Sequence, residues 1–219
     1  MTIATEHIIL QGEELILTNQ RVVFWSKTKT LILSDLHIGK TAHFRKSGIP
    51  ISSEVLQKDL ERLRLLILHF QPEILLIVGD LFHAEFNEDV KTFQKWMQQF
   101  NDVSITLIKG NHDKNSFELY ETLNIDIKPN YLEIAPFTFM HDVKVVNQDK
   151  FYVSGHKHPG VLLIGKGRQR IKLPCFQITK HQLILPAFSL FTGLNTKNTT
   201  KNSKCFAFTE DSIFMANVF

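Results

Sequence analysis

Three short apolar runs, each ending in carboxylate, amide or imidazole residues, punctuate the first half of the chain: "TLILSDLH" (30–37), "EILLIVGD" (73–80) and "SITLIKGNHD" (104–113). No other feature limits the fold as much. Between the first two, Leu56, Leu60, Leu63, Ile67 and Phe70 are spaced four, three, four and three apart. That spacing predicts one face of a helix over 53–70. Ser52 or Ser53 can cap its start, and Pro72 closes it. Between the second and third runs, Val90, Phe93, Met97 and Phe100 form a second helical stripe. Alternation of this kind predicts a parallel sheet with crossover helices.

Beyond residue 125 the pattern changes. Strand-like runs follow one another with few helical stretches: "FTFMH", "FYVSGH", "VLLIG", "QRIKLPCFQIT", "HQLILPAF", "CFAFTE" and "SIFMANVF". They predict a second, more antiparallel sheet packed on the first, with outer helices. No linker composition separates the halves, so 1–219 reads as one α/β domain, long enough to bury a substantial core. "GLNTKNTTKNSK" (193–204) reads as a surface loop.

A net charge of +3 is only mildly basic and by itself implies no polyanionic partner. Cys175 and Cys205 form no CxxC pair. They are expected in the core of a protein kept in a reducing cytoplasm. The N-terminal "MTIATEHIILQGEELILTN" lacks a basic head followed by an apolar run. No apolar stretch reaches the roughly 18 residues of a membrane span. The expectation is a cytoplasmic protein with no membrane partner.

In an α/β sheet the carboxyl ends of parallel strands share one edge, where ligands bind. Collected there are Asp35 and His37, Asp80 and His83, then Asn111, His112 and Asp113; His141, His156 and His158 end later runs. Each motif alone is common, but the order D-x-H, G-D-x-x-H, G-N-H-D, H, G-H-x-H is specific. Gly79, Gly110 and Gly155 are expected to let the backbone turn where a side chain must face a metal. Carboxylate, imidazole and amide oxygen without thiolate suit Mn, Fe or Zn. The set exceeds one tetrahedral site and fits two sites sharing a carboxylate, with mid-sequence Asp80 the natural bridge. Two ions roughly 3.5–4 Å apart are the usual arrangement for hydrolysing a phosphate ester.

In order and type these motifs resemble those of the calcineurin-like metallophosphoesterases. The resemblance implies a two-sheet αββα sandwich and a dinuclear centre. It places Asp35, His37, Asp80 and His158 on a first ion, and Asp80, Asn111, His141 and His156 on a second. His112 matches the family's non-ligand histidine, which contacts the scissile phosphate and protonates the leaving oxygen; Asp113 would orient it. The cofactor implied is a pair of divalent ions, manganese first, with Fe, Zn and Mg also suited. A narrower resemblance covers "DLHIGKTAHFRKSGIP" (35–50), "GDLFH" (79–83), "GHKHPGV" (155–161), "GRQRIKLPCF" (167–176) and "LPAFSLFTG" (185–193). These look like the bacterial ligase-associated DNA-damage-response phosphoesterases, encoded beside a DNA ligase and a helicase. That likeness implies a phosphodiester substrate such as DNA and a functional association with the ligase and helicase.

Lys40, His43, Arg45 and Lys46 follow His37 closely enough to reach a substrate phosphate; the plainer reading is a solvated loop or helix start. In "KGRQRIK", alternation along a strand would put Lys166, Arg168, Arg170 and Lys172 on one face, suiting a polyanion or a wet sheet edge. His7, His69 and His181 have no motif around them. The function expected is a dinuclear phosphodiesterase or nuclease tied to DNA repair. One alternative is a nucleotide or pyrophosphate phosphoesterase with a closed pocket. The other is a binding scaffold, which should have lost ligands that are all present here.

Overall fold

The computed structural model describes residues 1–219 apart from 53, 84, 85, 116, 198–201 and 217–219, and apart from the side chain of residue 168. Ser53 and part of the 193–204 loop thus lie outside the described residues. The first sheet takes its seven strands in chain order: β1 (Thr5–Leu10), β2 (Glu13–Thr18), β3 (Val23–Trp25), β4 (Thr30–Leu33), β5 (Ile74–Val78), β6 (Ser104–Ile108) and β7 (Ile125–Lys128). β4 to β7 run parallel, as the alternation predicts. β1 to β3 extend the sheet antiparallel from β4.

Among the described residues the α-helices of this half are α1 (Lys40–Lys46), α2 (Glu54–Phe70), α3 (Glu88–Met97) and α4 (Phe117–Thr122). The Ser52 hydroxyl accepts the Glu54 N–H at 3.2 Å at the start of α2. Leu56, Leu60, Leu63 and Ile67 enter a core shared with Val90, Phe93 and alternate residues of the sheet. Each such side chain contributes about 1.5–3 kcal/mol on burial. Phe100 lies past the end of α3 yet packs on the same core. β5 is apolar throughout because both faces are covered. In β5, Leu75 and Ile77 meet the helices, while Leu76 and Val78 meet the second sheet.

The second sheet comprises β8 (Leu132–Ile134), β9 (Phe137–Phe139), β10 (Phe151–Ser154), β12 (Arg170–Ile178), β13 (Gln182–Ile184), β14 (Lys204–Phe208) and β15 (Ile213–Ala216), while β11 (Gly160–Ile164) pairs with β12 alone. Its middle is parallel, β9 and β13 flanking β10; its outer pairs are antiparallel. The two sheets with flanking helices form the α/β sandwich expected. Between them lie Trp25, Phe137, Phe139, Phe176 and Leu183, with Trp25 edge-on to Phe137 at 5.1 Å. Cys175 and Cys205 are free and buried, packed with Val161 and Ala207. Among the described residues no helix is long and apolar enough to cross a membrane.

Candidate metal centre

The parallel ladder continues past the ends of β4 and β5 in irregular backbone. Asp35 N–H donates to Gly79 O (3.0 Å), His37 N–H to Asp80 O (3.0 Å) and Ile38 N–H to Leu81 O (2.8 Å). Along these extensions Asp35, His37 and Asp80 have φ of 57, 52 and 53°, and His156 and His158 have 66 and 46°. A non-glycine residue in this left-handed region costs about 1–3 kcal/mol and persists only where its surroundings dictate it. Five candidate ligands share that conformation, which turns their side chains into one cleft.

Two of the three glycines differ from expectation in their reason. Gly79 alone among them takes positive φ, 85°. At Gly110 a Cβ would lie 2.1 Å from Asp80 Oδ1, and at Gly155 it would lie 2.7 Å from Asp35 Oδ2. These two leave room for the carboxylates instead of bending the chain.

The side chains gather in two groups whose donor atoms lie within 4.8 Å of one another: Asp35, His37 and His158, and Asp80, His141 and His156. Asp35 Oδ1 is 3.0 Å from His158 Nε2 and 3.9 Å from His37 Nε2. His141 Nε2 is 3.3 Å from Asp80 Oδ2 and 3.3 Å from Asn111 Oδ1. The groups adjoin, since His156 N–H donates to Asp35 Oδ2 at 3.2 Å. All seven expected ligands therefore meet at one edge.

Two nearly inaccessible carboxylates, Asp35 and Asp80, have no Lys or Arg ion pair among the described residues, and buried charge demands compensation. Burial pushes Asp80 up, but the His141 ring and the His112 amide outweigh it and hold its pKa at about 2. Burial pulls His141 down, yet Asp80 and Asp35 raise it to about 9. The His141 Nδ1 atom lies 2.9 Å from Val78 O, which directs Nε2 at the two oxygens. That nitrogen must carry a proton or face a cation, and a metal ion takes the proton's place. At His37 burial outweighs both carboxylates and lowers the pKa to about 4, so the ring is neutral. Its Nδ1 is buried without a partner among the described residues. Donor chemistry and the clearance at the glycines both fit divalent cations.

Residues 28–184 match the family model of the calcineurin-like phosphoesterases. The chain belongs to that family. It is a metal-dependent phosphoesterase, and its family and donor groups imply divalent metal ions. The Pseudomonas putida nuclease MPE is similar to this phosphoesterase over 97% of this chain and 100% of that one, with 26% identity and a TM-score of 0.81. Yfce, a phosphoesterase from E. coli, aligns over 87% of this chain and 99% of its own at 16% identity and a TM-score of 0.46. No curated protein matches the chain in a sequence comparison.

In this phosphoesterase the His112 ring stacks on His83 at 4.7 Å and meets His37 edge-on at 5.4 Å. His83 was visible in "GDLFH" but had no expected role; it is the wall behind His112. Asp113 corrects the expectation that it orients His112. Its carboxylate accepts the backbone N–H of Asp80 (2.8 Å), Phe82 (2.9 Å) and Gly110 (2.9 Å), with no bond to the His112 ring among the described residues. It ties the Asp80 turn to the Gly110 turn. Asp113→Ala should strand three amides at roughly 1–3 kcal/mol each, lowering the melting temperature by about 6–12 °C or more. A calorimetric melt checks this; an unchanged midpoint would remove the bracing role.

Lys40 is half-buried, which lowers its pKa, while Asp35 and Asp80 act on it in the opposite sense. Its Nζ donates to Phe191 O at 3.0 Å. The His43 ring lies 5.8 Å from His83. Arg45 differs: its guanidinium pairs with Asp89 at 3.0 Å. Asp89 also accepts Thr41 Oγ1 (2.6 Å) and Ala42 N–H (2.9 Å). Asn87 caps α3 and donates to Gly39 O at 3.2 Å. Arg45 thus helps fasten α1 to α3, which sets Lys40 and His43 beside the cleft. The Asn87–Asp89 clamp was missed; its signal was an Asx cap just before the second stripe.

Proposed function

We propose that this phosphoesterase is a dinuclear phosphodiesterase that cuts nucleic acid, with DNA as substrate. The observation that carries the reading is the pair of ligand groups meeting at one strand-end edge, in a fold whose relative at 26% identity is a nuclease. Asp35, His37, Asp80 and His158 would hold one ion; Asp80, Asn111, His141 and His156 the other. Such a pair, manganese first, would lower the pKa of water and offset charge on the phosphoryl oxygens.

The chain's own groups do the rest. His112 is held by its amide on Asp80 Oδ1 (2.9 Å) and by its stack on His83, ready to give a proton to the leaving oxygen. Lys40 and His43 flank the cleft and meet non-bridging phosphate oxygens. The narrower sequence likeness supports a role in DNA repair with a ligase and helicase, and two free buried cysteines suit the cytoplasm.

The test is a substrate panel with Mn added after chelation: bis-p-nitrophenyl phosphate, p-nitrophenyl phosphate, cyclic nucleotides, single-stranded DNA and nicked DNA. Cleavage of the diester and of DNA is expected. Turnover confined to the monoester or to cyclic nucleotides would favour the small-molecule reading instead.

A further inference from the structure

Beside the metal groups opens a cavity of about 650 Å³, lined by His156 and His158 and by three lysines, Lys157, Lys172 and Lys197. One carboxylate shares it, Asp142, which lies 4.0 Å from His156. None of the three lysines has an ion pair among the described residues. Lys27, Lys29, Lys91 and Lys150 elsewhere are each paired with a glutamate. The same wall continues along the β11–β12 hairpin. Leu162 pairs with Lys172 and Ile164 with Arg170, so these four share one face of the ribbon. Leu162 and Ile164 are exposed on it, at 38% and 71%. The opposite face turns its base, Val161, Leu163 and Leu173, onto the buried cysteines. Lys166 and Arg168, expected on the same stripe, fall in a 3₁₀ turn at the hairpin tip, and the side chain of Arg168 is outside the described residues.

We propose that this cavity and the outward hairpin face form one groove for a single nucleic-acid strand. Lys157, Lys172 and Lys197 would hold phosphates flanking the scissile one, with Arg170, Leu162 and Ile164 receiving the strand further out. The proposal rests on the nuclease reading and gives it a substrate form. Unpaired cations answer a phosphate backbone. Five residues of β11 extend roughly 16 Å, more than a mononucleotide can use. Exposed aliphatic side chains among the cations match unstacked base faces, which a duplex keeps hidden.

Binding can be read without catalysis, by fluorescence anisotropy of labelled oligothymidylates on chelated protein. Affinity should rise with oligonucleotide length in the unaltered protein. The triple variant Arg170→Gln, Lys172→Gln, Lys197→Gln should bind the longest oligonucleotide at least about tenfold more weakly at low salt. The slope of log K against log salt should become shallower by about 2, at about 0.7 per lost phosphate contact. Leu162→Ser with Ile164→Ser should weaken binding without changing the slope. Length-independent affinity, an unaltered slope in the triple variant, no loss in the double variant, or tighter binding of duplex would each overturn the groove. If the Mn-loaded unaltered protein cuts no oligonucleotide, the nuclease reading itself falls. If it cuts while the slope stays put, the groove alone does.

Discussion

Asp80→Asn should cost at least about three orders of magnitude in turnover and leave the fold standing. Asp80 Oδ2 faces His141 and Asp80 Oδ1 holds the His112 amide, so one carboxylate holds the proposed acid and, in the proposed function, would serve both ions. Charge stabilisation by a divalent ion is worth several kcal/mol, and each 1.36 kcal/mol is tenfold in rate. The amide keeps an oxygen for His112 but loses the negative charge that the two proposed ions would need. Stability should survive because Asp113 grips the backbone N–H of residue 80, which the substitution keeps. Rates on bis-p-nitrophenyl phosphate and a thermal melt, taken together, decide. A variant unfolded at ordinary temperature would mark Asp80 as structural.

His112→Ala should retain both metal ions and lose about 10²–10⁴-fold in rate, the usual contribution of a general acid. The variant keeps the backbone amide that supports Asp80, and what it loses in packing is one stack on His83. The loss should shrink for a p-nitrophenyl ester, whose leaving group departs without a proton, and be full for DNA, whose leaving group is an alkoxide. Equal losses on both substrates would mean that His112 positions the phosphate only. Loss of a metal would mean that the ligands are wrongly assigned.

The parts of this centre that could be read in advance are those where chemistry follows chain order. A buried parallel strand must be largely apolar on both faces, so the polar residues that close the run announce the edge, and Asp35, Asp80 and Asn111 were legible for that reason. The stripe of α2 was legible because it repeats. β1 to β3 were not, since β1 alternates half-buried with exposed positions and offers a weak apolar signal. Nor were α1 and α4, seven and six residues long. Asp113 misled because adjacency to His112 in sequence says nothing of direction; its carboxylate turns back to the Asp80 amide. Arg45 misled similarly, since Asp89 arrives from another helix. The left-handed backbone at five candidate ligands is carried by Asp and His, which give no sign of it as glycine would.

The central claim is that two ligand groups, joined at Asp80, hold two ions. Elemental analysis of the chain, stripped by chelation and reconstituted with Mn, tests it directly. Close to two equivalents per chain are expected. A clean value of one would contradict the shared role of Asp80 and the dinuclear centre with it.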